Sequence, residues 1–151
     1  MNKNKLKQVF LFFGNQDLLV QENVEKCTVD LLDGREREWC FERYDLFEFV
    51  RVNGEEPAKK IDEFLVNCET QPMFSDQKVF RLDHAELLKK PNTKDPYSSH
   101  SRLFETLARL LSDPPSYLFL IFTSPASREQ EFSKPLFRLI QEHGQIRKFV
   151  A

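Results

Sequence analysis

Asp17, Asp83, Thr123 and Ser124 each stand where an apolar run gives way to polar sequence, and in a parallel α/β sheet that is where ligands collect. An aspartate after the third run could hold magnesium, and a hydroxyl after the fourth could sense a phosphate. Together they describe a divergent P-loop nucleotidase built on Asp83 and Thr123. That chemistry needs a cradle, G-x-x-x-x-G-K-[ST], whose amides wrap the phosphates while its Lys balances their charge and its hydroxyl holds the metal. The turn after the first run reads Gly14-Asn15-Gln16-Asp17-Leu18-Leu19, without the second glycine, the Lys or the hydroxyl. Gly14 also stands alone, so the G-x-G-x-x-G dinucleotide fingerprint is missing. Without phosphates to hold, Asp17 reads as a helix N-cap and Asp83 as a cap on the turn that follows it. His84, His100 and His143 lie far apart, without metal-ligand spacing, and read as surface histidines. There is no G-x-S-x-G elbow and no cysteine in a nucleophile setting, so no catalytic residue, cofactor or metal is expected.

A different chemistry is offered by Thr70-Gln71-Pro72-Met73-Phe74-Ser75-Asp76, where two large apolar side chains interrupt a polar stretch. Two readings compete. Phe74 packs inward as core at the start of the next strand, or Met73 and Phe74 both face water as a plug for a protein partner. A plug of this kind works because Phe supplies area with few rotamers to freeze and Met adapts to an irregular pocket. Burial of each would contribute on the order of 1.5–3 kcal/mol.

Length and composition set the frame for either reading. A chain of 151 residues is long enough for one core. With 40% hydrophobic and 30% charged residues it is an ordinary globular composition. The net charge of −2 and the lack of a basic stripe, beyond Lys3, Lys5 and Lys7 at the terminus, argue against direct contact with nucleic acid. Cys27, Cys40 and Cys68 are odd in number and widely spaced, which fits reduced thiols in the cytoplasm rather than a disulfide framework or a zinc site. No apolar run is long enough for a bilayer, and the polar, basic start is not a signal peptide. Phe, with fifteen residues, is in excess, and most lie in short runs that read as buried strands.

The elements that must position these residues follow from periodicity. Val9–Phe13 is a continuous apolar run closed by Gly14, the signature of a strand covered on both faces. Val20, Val24, Cys27 and Leu31 form a helical stripe that stops at Asp33-Gly34. Trp39–Tyr44 reads as a second strand, followed by a loop with Asn53-Gly54. A helix opening at Pro57 carries Ala58, Ile61, Leu65 and Cys68, and Lys78–Leu82 is a third strand. Ala85 to Lys90 could hold one or two helical turns, and Pro91 to Ser101 reads as a loop. A helix with Phe104, Leu107, Ala108 and Leu111 ends at Asp113-Pro114-Pro115. Tyr117–Phe122 is the clearest buried strand. Ser127 and Gln130 suggest a capping box for a helix that carries Leu136, Leu139 and Ile140 to Gly144, and Ile146–Val150 is a last strand. Five alternations of strand and helix predict an α/β three-layer sandwich with a mainly parallel five-stranded sheet.

Several of these segments resemble the delta subunit of bacterial DNA polymerase III. Phe10-Leu11-Phe12-Phe13-Gly14-Asn15-Gln16-Asp17 is similar to that family's opening, and Gln71-Pro72-Met73-Phe74-Ser75-Asp76-Gln77-Lys78-Val79-Phe80-Arg81-Leu82 is similar to its centre. Leu87-Leu88-Lys89-Lys90 and Pro114-Pro115-Ser116 fit the same template, so the likeness spans nearly the whole chain. The resemblance implies a P-loop NTPase/AAA+-like fold without a functional nucleotide site, in a non-catalytic subunit of the clamp loader. It implies that residues 1–151 are an N-terminal clamp-binding domain, with the family's lid and collar domains absent from this chain. It implies that the domain grips the sliding clamp, the beta subunit, through Met73 and Phe74 with Gln71 and Pro72 flanking, and that the other clamp-loader subunits are further partners. The loop from Pro91 to Ser101 is longer and more polar than the family's connection. An interaction module of another AAA+-like protein is the remaining alternative.

Overall fold

A computed structural model describes residues 7–50, 55–89 and 98–151. Five strands, β1 (Val9–Phe13), β2 (Phe41–Asp45), β3 (Lys78–Asp83), β4 (Leu118–Ser124) and β5 (Gln145–Lys148), form one sheet in the order β2-β3-β4-β1-β5. Every pairing is parallel. Among the described residues the α-helices are α1 (Asp17–Leu32), the single turn α2 (Arg37–Cys40), α3 (Glu55–Glu69), α4 (Ser99–Ser112) and α5 (Lys134–His143).

The sheet is covered on both faces, which is why β1 and β4 are apolar without alternation. Phe10, Phe12, Val79, Phe119 and Ile121 point to one face and pack under Val20, Val24, Leu31 and Leu32 of α1. Val9, Leu11, Phe13, Phe80, Leu120 and Phe122 point to the other, beneath α3, α4 and α5. Most of the fifteen phenylalanines are buried, as their runs predict. Phe64, with no exposed surface, sits among the rings of Tyr44, Phe49 and Phe80.

Local details depart from the periodicity. Trp39 and Cys40 belong to the turn of α2 rather than to β2, because a helical turn sends Cys40 into the core and Trp39 outward. Asp17 is the first residue of α1, not its N-cap; Gln16 holds that position, its N–H donating to the Phe149 carbonyl. In α4 the buried apolar positions belong to Leu103, Leu107, Leu110 and Leu111, while Phe104 and Ala108 pack at the margin. Ser98 caps α4 by accepting from the Ser101 N–H, so Ser99 to Ser101 are helix rather than loop. Ser127 and Gln130 do not form a capping box. Glu131, in a 3-10 turn, accepts from the Ser127 and Arg128 N–H groups, and α5 begins only at Lys134, where Pro135 suits its first turn. Residues 85–87 make a 3-10 turn. Asn53-Gly54, Lys90 and residues 91–97 of the expected loop lie outside the described residues.

Candidate functional site

Met73 and Phe74 lie in the connection from α3 to β3, with 83% and 71% of their surfaces exposed. Of the two readings of this pair, packing as core is ruled out by those values. Gln71 is exposed beside them and Pro72 is half-buried. The pair could be exposed yet floppy, but the segment is tied down on its far side. The Arg35 guanidinium, after α1, holds Asp76 through two parallel bonds, Nε to Oδ1 at 2.6 Å and an Nη to Oδ2 at 3.0 Å. Arg35 also donates to the Leu32 carbonyl at 3.0 Å, which fixes the fork to the end of α1. The hydrogen bond and charge of Arg35 keep the Asp76 carboxyl below its ordinary range, and Asp76 raises Arg35 in return. Gln77 donates its side-chain amide to the Leu31 carbonyl. The Phe74 ring itself rests against Trp39, centroids 4.8 Å apart and planes tilted by 52°. Two apolar side chains are therefore presented to water from a polar segment braced by the connection between α1 and β2.

The second candidate lies at the carboxyl ends of β3 and β4. Asp83 and Thr123 are together, as a nucleotidase would require, but the carboxylate is already occupied. It accepts from Thr123 Oγ1 at 2.6 Å, Arg81 Nε at 2.8 Å and Arg43 Nε at 2.6 Å. Desolvation pushes the Asp83 carboxyl up, and the bonds from Thr123, Arg81 and Arg43 outweigh it and hold it below its ordinary range. Asp83 is thus the centre of an ionic network rather than the cap expected for the following turn. Ser124 donates to Glu86 at 2.7 Å. The turn after β1 is closed as well: the Gly14 N–H donates to the Ser124 carbonyl at 3.1 Å and the Gln16 N–H to that of Phe149 at 3.2 Å. These amides face backbone, not a phosphate. The cleft between this turn and Asp83 is about 230 Å³, smaller than the ~300–1,000 Å³ usual for small-molecule sites, and a wider groove of about 1030 Å³ between β2 and α3 also touches Asp83.

The histidines are scattered, as their spacing predicts. His84 pairs with Asp45 at 2.7 Å, which raises its pKa; His100 contacts the Phe49 carbonyl and His143 is exposed. Among the described residues no group of acidic, His and Cys side chains could hold a metal ion, and no helix is long and apolar enough to cross a membrane.

The family model for the DNA polymerase III delta subunit matches residues 10–149. The chain belongs to that family. The delta-family match takes in both braced connections, β2 to β5 and all of β1 but Val9. Among solved structures, this delta-family chain is similar to the Bacillus subtilis DNA clamp loader delta protein, with a TM-score of 0.68 at 15% identity. The likeness covers 98% of this chain and 40% of that one, so this chain spans less than half of that relative's length. At that identity the likeness speaks for the fold. No curated protein matches the chain.

Residue patterns missed Trp39, Arg35 and Gln77 as parts of the apolar site, because each acts across a gap of tens of residues. They also missed Arg43 and Arg81, which pass in the sequence for polar positions of ordinary strands.

Proposed function

We propose that this chain is the N-terminal, AAA+-like clamp-gripping domain of a clamp-loader delta subunit. Met73 and Phe74 are the plug it inserts into a hydrophobic pocket on the sliding clamp, the beta subunit, with Gln71 and Pro72 as flanking contacts. The observation that carries this reading is the outward position of both side chains on a braced segment. A segment whose backbone is already tied down costs less further entropy when a partner covers its exposed side chains. The domain acts in the cytoplasm, catalyses nothing itself, leaves ATP hydrolysis to sister subunits of the loader, and makes no direct contact with DNA. Its grip opens the ring only by as much as it binds the open form better than the closed one.

The double replacement of Met73 and Phe74 by Ala is expected to weaken clamp binding by at least about 2 kcal/mol, or roughly thirtyfold. Surface plasmon resonance against the clamp from the same organism measures it. A double variant that binds as well as the parent would remove the site from consideration.

A further inference from the structure

Trp39 is the single tryptophan of the chain, and it stands half-exposed, at 49%, on a one-turn helix. Its neighbour Cys40 is buried in the core beneath α1, so the turn is anchored by Cys40 and leaves the indole outside. The indole meets the ring of Phe74, at 4.8 Å between ring centroids. The segment that carries Phe74 is also joined to the residues after α1 by the Arg35–Asp76 fork and to the last turn of α1 by Gln77 on the Leu31 carbonyl. All three ties link the end of α1 and the residues that follow it to the segment that carries the apolar pair.

We propose that Trp39 is a positioning residue for clamp binding: its indole holds the Phe74 ring in the orientation that enters the partner's pocket. The proposal rests on the reading that Met73 and Phe74 grip the clamp. A phenylalanine with most of its surface in water would otherwise sample several rotamers, and the partner would have to select one at a cost in affinity. An aromatic face at van der Waals distance removes most of that freedom beforehand. The polar ties fix the backbone of the segment, while Trp39 fixes the side chain that the backbone leaves free to turn.

A double-mutant cycle on the full chain tests this, with the sliding clamp of the same organism immobilised for surface plasmon resonance. Trp39→Ala is expected to weaken binding by about five- to tenfold, and Trp39→Phe to restore most of the loss. In a Phe74→Ala background, Trp39→Ala should change affinity by no more than about twofold, because the ring it orients is gone. A structural role would lower affinity by the same factor in both backgrounds, and that result would overturn the proposal, as would parent-like binding by Trp39→Ala. Parent-like binding by Phe74→Ala alone would instead overturn the underlying assignment of the plug. Should Trp39→Ala fail to fold, Trp39→Leu keeps apolar bulk beside Cys40 without the indole face. The same weakening is expected of it, and parent-like binding would again overturn the proposal.

Discussion

At the level of single residues, Asp83 shows how a position suited to one chemistry is used for another. A carboxylate at the end of β3 could hold a metal, yet here three donors converge on it, and Arg81, itself buried, depends on it for charge balance. Removing one partner of such a pair leaves an uncompensated charge, so Asp83→Asn should cost about 3 kcal/mol at neutral pH, measured by urea unfolding. The pH dependence follows from the direction of its shift. The folded pKa lies below the unfolded value of about 4, so the network's contribution is complete above that value and is lost as pH falls through the folded one. The asparagine variant should therefore lose less stability on acidification than the parent. Equal acid sensitivity in the two would assign that limb to other carboxylates. Asp83 was legible as a polar residue ending a strand, but its partners Arg43 and Thr123 lie forty positions away on either side and only the sheet brings them to it.

At the level of elements, the connections hold the exposed apolar pair and its ties, and the strands space them. Gly14 closes β1 with a φ of +147°, and an added Cβ would lie 1.9 Å from the Phe149 carbonyl oxygen. The obstacle is backbone that follows β5, so the strain cannot be relieved by turning a side chain. Gly14→Ala should destabilise by about 3 kcal/mol, read as a lowered urea midpoint with unchanged slope. A variant as stable as the parent would show that the turn yields. The misplaced boundaries share a physical reason. The turn of α2 and the late start of α5 depend on which side chain the core accepts, Cys40 in one case and Leu136 with Phe137 in the other. Local propensity is silent on that choice.

At the level of the whole molecule, the residues that form the core are distinct from the exposed pair proposed to grip a partner. Phe64→Ala, in the cluster with Tyr44, Phe49 and Phe80, should cost about 3–5 kcal/mol, whereas replacing Met73 and Phe74 by Ala should change stability by no more than about 0.5 kcal/mol while clamp binding weakens roughly thirtyfold. Thermal and urea unfolding of both variants check this, and a large destabilisation by the second would mean that the pair helps hold the domain together. The continuous apolar runs of β1 and β4, the helical stripe of α1 and the incomplete phosphate cradle are local patterns. The sequence alone therefore determined a parallel α/β sheet covered on both faces and the lack of a P-loop motif. It also marked Met73 and Phe74 as unusual, but left them two places to go. Tertiary structure decided between them, because burial and the ties from Arg35, Gln77 and Trp39 arise only when residues distant along the chain are packed side by side.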